Sequence, residues 1–160
     1  DEGMGFYYLM GGLQLERLIG AVGTIGSSDS SLQYALQYMS ERKAFGRPIN
    51  KFQVLRHRVA QMASEMESSR YFIYHCCKLH DDGEYAVKES SMAKLLGTEL
   101  CNKVATECLQ FFGGYGYMED YKMARVFRDA RIGTIGAGTS EVMREIIAKM
   151  IIDGQEYEDA

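Results

Sequence analysis

The stretch KFQVLRHRVAQMASEMESSRYFIYHCCKLH, residues 51–80, decides the fold. Leu55, Val59, Met62, Met66, Ser69, Ile73 and Cys77 step along it by four and three residues. At 3.6 residues per turn, that spacing draws one apolar stripe down a helix. A sheet would need alternation with a period of two, and no run in the chain alternates long enough to force one. The same rule works outward on both sides. Before this stretch, Leu15, Leu18, Val22, Ile25, Leu32, Leu36 and Met39 predict a first long helix, its stripe interrupted by Asp29 on the seam. After it, Val87, Leu96, Leu100, Val104 and Cys108 predict a third helix over about residues 84–112. Val142, Ile146, Ile147 and Met150 predict a shorter fourth one starting near Thr139. With 1 proline in the whole chain, nothing breaks such helices from within.

The connections are equally legible. Gly46-Arg47-Pro48-Ile49-Asn50 separates the first two helices, because the residue before a proline is pushed out of the helical region. Asn50 and Gln53 have the spacing of an N-cap and its reciprocal partner. Asp81-Asp82-Gly83 makes a tight turn, Gly113-Gly114-Tyr115-Gly116-Tyr117 stops the third helix, and Gly133 to Gly138 forms a second glycine-rich loop. Long helices joined by short turns pack antiparallel, so the predicted fold is all-α, an up-down four-helix bundle. It is expected to occupy residues 1–152, with an acidic tail over residues 153–160 that frays.

Composition narrows the function. A chain of 160 residues suits one domain, and 46% hydrophobic with 25% charged residues marks it as globular rather than disordered. A net charge of −4 argues against a nucleic-acid surface or a basic membrane anchor. No apolar run approaches the roughly 18 residues of a membrane span, and no signal-peptide pattern is present. The chain opens at Asp1 rather than Met, which predicts a piece of something longer. Cys76, Cys77, Cys101 and Cys108 sit among apolar neighbours without CxxC spacing, reading as buried thiols of a reducing compartment. His57, His75 and His80 show no ligand spacing, so no metal site is predicted.

Several residues admit two readings. Glu16, in Gln14-Leu15-Glu16-Arg17-Leu18, is either a first-turn carboxylate favoured by the helix dipole or a general base. Gly20, Gly23, Ser27 and Ser30 form a stripe of small residues, suited to close helix packing or to a flat ligand. Arg42, Lys43 and Arg47 either satisfy a helix C-terminus or hold a phosphate. Gln53 is a capping residue or an amide that reaches a ligand. Gln110-Phe111-Phe112-Gly113-Gly114 follows a helix, whereas phosphate-cradling glycine loops follow a strand and open a helix, so it is not a P-loop. Thr139 or Ser140 can cap the last helix, and N–H groups at such a start also suit an anion.

Taken together, three ordered motifs resemble the acyl-CoA dehydrogenase family. Arg42-Lys43-Ala44-Phe45-Gly46-Arg47-Pro48-Ile49 followed by Gln53 is similar to its R-x-x-F-G-x-x-I…Q pattern. Gln110-Phe111-Phe112-Gly113-Gly114-Tyr115-Gly116-Tyr117 resembles its Q-x-x-G-G-x-G-Y/F block, and Arg128-Asp129-Ala130-Arg131 with Gly138-Thr139-Ser140-Glu141 resembles its ending. The resemblance spans most of the chain but only the family's C-terminal helical domain. It implies FAD contacts at Arg42, Gln53, Gln110, Phe111, Phe112, Gly113, Gly114, Thr139, Ser140 and Glu141. Acyl-CoA contacts are implied at Tyr7, Gln14, Leu15, Glu16, Arg17, Gly136, Ala137 and Gly138. A homo-oligomer, commonly a tetramer, and an electron-transferring flavoprotein as redox partner are also implied. So is a mitochondrial matrix location in a eukaryote, or a cytoplasmic one in a bacterium.

One departure speaks to the branch of the family. Most members carry a catalytic glutamate in Y-E-G-T, where this chain reads Gly136-Ala137-Gly138-Thr139. Isovaleryl-CoA and long-chain members instead place the base on the first helix of this domain, and Leu15-Glu16-Arg17-Leu18 resembles that arrangement. The resemblance thus implies Glu16 as the base. Gly136 replaces a tyrosine that borders the acyl chain in straight-chain relatives, which implies room for a branched, isovaleryl-like substrate. A long-chain dehydrogenase, an acyl-CoA oxidase and a non-catalytic association module remain the alternatives.

Overall fold

The structure, a computed structural model, describes residues 1–157. Among them the backbone forms α1 (Gly5–Glu41), α2 (Gln53–Asp81), α3 (Val87–Phe112), α4 (Gly114–Tyr117), α5 (Lys122–Ile132) and α6 (Ser140–Ile152). Between α1 and α2, β1 (Lys43–Ala44) and β2 (Arg47–Pro48) pair as a minimal antiparallel hairpin, followed by a 3₁₀ turn at Ile49–Lys51. The hairpin tip is Phe45-Gly46, both at positive φ. The all-α bundle expected from periodicity is what the chain forms.

Three long helices set the frame. Asp29 of α1 meets Arg70 of α2, Glu65 of α2 meets Lys103 of α3, and Tyr38 of α1 stacks on Phe112 of α3. Numbers rising together on α1 and α3 and falling on α2 describe an up-down-up arrangement. α5, which the periodicity did not predict, returns antiparallel along α3: Met123 packs with Cys108 and Phe112, and the Asn102 amide donates to the Ala130 carbonyl at 2.9 Å.

The contact between α1 and α3 uses small residues. Ala21, Ser28, Ser31 and Ala35 are buried on α1, while Val22 and Leu36 of the predicted stripe are exposed. Gly97 is the reason the helices come so close. A Cβ there would lie 2.6 Å from Thr24 Oγ1 and 3.3 Å from Ile73 Cδ1. On either side of this notch sit two apolar clusters. One joins Leu32, Met39, Met62, Met66, Val104, Phe111, Phe112 and Met123; the other joins Leu18, Ala21, Ile73, Cys76 and Ala93. Each large side chain fully buried here contributes roughly 1.5–3 kcal/mol.

Several local expectations are revised. α1 starts at Gly5, so Glu16 lies well past the first turn and gains nothing from the helix dipole. Asn50 falls inside the 3₁₀ turn and Phe52 is the N-cap of α2, so no capping box forms with Gln53. Gly20, Gly23, Ser27 and Ser30 are all exposed, and among the described residues nothing lies within 4 Å of a would-be Cβ on either glycine. Asp29, by contrast, is accommodated on the seam by Arg70. Cys76, Cys101 and Cys108 are buried and all four cysteines are free thiols; burial pushes Cys76 up to about 11 and Cys108 up to about 12. No helix is long and apolar enough to cross a membrane, and no cluster of metal-ligating side chains occurs among the described residues. The expected acidic tail begins where α6 ends; residues 158–160 lie outside the described residues.

Candidate active site

Many of the residues singled out in the sequence gather at two levels of α1, near Arg17 and at its C-terminal end. At the first level lies the loop between α5 and α6. Arg17, only 7% exposed, donates from Nε to the Ala137 carbonyl at 3.5 Å. Ala137 and Gly138 adopt φ of +54° and +103°. A Cβ on Gly138 would come within 2.7 Å of Met143 Cε, so the turn is tight as well as left-handed. Lys94 of α3, 2% exposed, donates to the Gly138 carbonyl from the other side. Burial holds both cations below their ordinary pKa, and Arg17 lowers Lys94 further.

Glu16 precedes Arg17 and is exposed. Because Arg17 spans to Ala137, the position that lacks a carboxylate and the helix that bears one adjoin. Gly20, Gly23 and Ser27 follow Glu16 at four, seven and eleven residues, along the same helix face. They line an open cavity of about 290 Å³ with Asp129, Ala130 and Gly133. Gly136 is exposed, with only the Ile132 carbonyl near a would-be Cβ, at 3.5 Å.

Other implied substrate residues go elsewhere. Gln14 and Leu15 line a cavity of about 240 Å³ against Gly83, Tyr85 and Ser90, on the side of the α2–α3 connection. Gln14 Oε1 is shielded there without a partner. Tyr7 is 56% exposed and stands nine residues before Glu16, roughly 180° round the helix.

At α6 the predicted cap forms: the Val142 N–H donates to Thr139 Oγ1 at 3.3 Å. Ser140 is buried, its hydroxyl without a partner among the described residues. Hydrogen bonds from its own N–H and from Thr139 hold the exposed Glu141 carboxyl below its ordinary range.

The second level lies where α1 stops. Arg42, Gln110, Phe111, Phe112, Gly113 and Gly114 line an open cavity of about 550 Å³ together with Tyr38 and Tyr115. The Arg42 guanidinium lies 5.5 Å from the Tyr115 ring and belongs to no ion pair among the described residues. Phe111 and Phe112 are core side chains, 5% and 3% exposed, so only their backbone can face a ligand. Gln53 opens α2 on the exterior and does not line this cavity.

An unpaired guanidinium beside the Gln110 amide and an open glycine backbone suits an anionic dinucleotide such as FAD. The two levels are far apart. Arg17 to Arg42 is 25 residues of one helix, about 37 Å at 1.5 Å per residue, too far for one dinucleotide to touch both.

A sequence model described as "Acyl-CoA dehydrogenase, C-terminal domain" matches residues 3–152. The chain belongs to the acyl-CoA dehydrogenase family as its C-terminal domain. It is 40% identical over 149 residues to an isovaleryl-CoA dehydrogenase of Oryza sativa subsp. japonica, covering 93% of this chain and 36% of that protein. It is 38% identical over 152 residues to a long-chain specific acyl-CoA dehydrogenase of Sus scrofa, covering 95% and 35%. An acyl-CoA dehydrogenase crystal structure from Geobacillus kaustophilus superposes with a TM-score of 0.91 at 42% identity, covering 95% of this chain and 40% of that one. The chain thus spans well under half the length of these relatives.

Sequence reasoning passed over Lys94. The available signal was a lysine on an otherwise buried face, in step with Val87, Ser90, Gly97 and Cys101.

Proposed function

We propose that this chain is the C-terminal domain of an FAD-dependent enzyme that oxidises a short branched acyl-CoA to the 2-enoyl-CoA, with Glu16 as the base. The observation that carries the reading is the junction of Arg17 with Ala137. It joins the helix that bears Glu16 to the position where a base is missing, so a carboxylate on α1 can serve the same acyl carbon. In this reading the Glu16 carboxylate takes the proton from C2 of the thioester. The C3 hydrogen leaves as hydride, and bound FAD supplies its acceptor. Arg42 and Gln110 hold the cofactor at one end of the chain, and Thr139, Ser140 and Glu141 meet it at the other.

Two contact sets about 37 Å apart belong to different cofactor copies, which favours an oligomer. An open groove of about 610 Å³ between α2 and α3, with Phe72, Leu96 and Leu100 in its wall, also suits association, and a tetramer is the proposed state. An electron-transferring flavoprotein is the proposed electron acceptor, in a mitochondrial matrix or a bacterial cytoplasm. Identity of 40% against 38% does not separate the isovaleryl from the long-chain relative. The exposed Gly136 favours a branched substrate, because no ring fills the space above the loop.

The test is Glu16→Gln in the full-length flavoprotein. Loss of about 10³-fold or more in kcat with flavin and acyl-CoA binding retained is expected, while normal turnover removes Glu16 from the mechanism.

A further inference from the structure

We propose that Lys94 is a positioning residue for this reaction, fixing the turn of residues 136–138 against α1 at the level of Glu16. The inference rests on the enzymatic reading above. Lys94 sits in mid-helix on a face otherwise made of Val87, Ser90, Ala93, Gly97 and Thr98, all buried. At 2% exposure its ammonium has left water, yet it pairs with no carboxylate among the described residues. Glu99 and Glu141 act on it only at range. Its partner is the Gly138 carbonyl.

Arg17 approaches the preceding carbonyl, that of Ala137, from α1. Two buried cations therefore converge on consecutive carbonyls and repel each other. Apolar side chains of similar volume would stabilise the fold at least as well, so stability alone does not account for them. What they do hold is a turn with two successive left-handed residues, Ala137 and Gly138. Strained backbone of this kind persists where its surroundings over-determine it. One cation fixes the turn to α1, next to Glu16; the other fixes it to α3. Together they set where Gly136 and Ala137 stand relative to the carboxylate. A shift of about 1 Å in such a placement can lower turnover about 100-fold.

The experiment uses the full-length, flavin-loaded enzyme with isovaleryl-CoA and butyryl-CoA as probes, and kcat per mole of bound flavin. Lys94→Met is expected to lower kcat about tenfold or more with KM changed less than about threefold, and to change the ratio of kcat/KM between the two substrates. Lys94→Gln keeps a donor on a side chain one atom shorter and is expected to recover part of both effects. Gly138→Ala moves the acceptor instead, and it should alter the same ratio; it carries the comparison if Lys94→Met does not fold. Wild-type kcat per flavin in Lys94→Met overturns the inference. So does an equal loss on both substrates that Lys94→Gln leaves unrepaired. A wild-type enzyme that oxidises neither acyl-CoA removes the enzymatic reading itself, whereas an active wild type with an unaffected Lys94→Met removes only the role of Lys94.

Discussion

Gly97 of α3 and Thr24 of α1 meet so closely that a methyl group on the glycine would stand 2.6 Å from the threonine hydroxyl oxygen. That oxygen is not free to leave, because it donates to the Ala21 carbonyl at 2.6 Å. Gly97→Ala is therefore expected to destabilise the protein by about 1–3 kcal/mol, through overpacking. Adding Thr24→Ala should recover part of that loss, a non-additivity that thermal or denaturant unfolding of the single and double variants measures. Additive losses would show that the two helices separate rather than press.

Glu65 offers a pH-dependent counterpart. Hydrogen bonds from Lys103 and Gln61 hold its carboxyl below the ordinary value of 4.5. A carboxyl lowered in the folded state stabilises the fold above its unfolded pKa, and the contribution disappears as pH falls through the folded value. Lys103→Met should lower stability at pH 7 by less than about 1 kcal/mol, since the pair is partly exposed. The difference from wild type should vanish in acid. A difference constant from pH 7 to pH 3 would assign it to the lost aliphatic stem instead.

The proposed branched-chain specificity is tested at Gly136. Its would-be Cβ meets nothing closer than 3.5 Å, so a larger side chain is tolerated by the loop and projects outward. Gly136→Tyr in the full-length enzyme is expected to reduce kcat/KM for isovaleryl-CoA by about tenfold or more relative to butyryl-CoA. Equal losses on both substrates would end the branched-chain assignment.

Ala137 already holds φ of +54°, so a glutamate there adds little backbone strain beyond what the alanine carries. In a Glu16→Gly background, Ala137→Glu should restore measurable turnover. Recovery would show that both positions serve one carbon; no recovery, with flavin bound, would separate them.

Periodicity exposes the long helices because apolar residues recur along them at helical spacing, although α1 buries small residues such as Ala21, Ser28, Ser31 and Ala35 and leaves Val22 and Leu36 of its stripe outside. It failed at α5, where Met123 is the buried residue and Arg125, Arg128, Asp129 and Arg131 dominate the sequence between two glycine loops. It places the start of α1 too late because the apolar stripe begins at Leu15, whereas the helix already runs from Gly5. The capping pair Asn50 and Gln53 matched a local pattern that the 3₁₀ turn displaced. At the site, motifs point to Glu16 and to the 136–138 turn, and the contact the structure shows between α1 and that turn is made by the next residue, Arg17. Gln14, Leu15 and Tyr7, implied as acyl-CoA contacts by the resemblance, lie on other faces of α1 than the one that follows Glu16. For Lys94 the buried face of α3 marks the residue as unusual, but its partner shows only in three dimensions, since nothing near it along the chain announces a carbonyl 44 residues away.

The notch at Gly97 acts as a ruler for the far end of the molecule. Arg17 lies two turns before Thr24 on one rod, and Lys94 lies one turn before Gly97 on the other. Sliding α3 by a single residue would set Leu96 or Thr98 where only hydrogen fits. The depth to which both cations reach into the α5–α6 connection is thus gauged by a missing methyl group, in a part of the protein that performs no chemistry of its own.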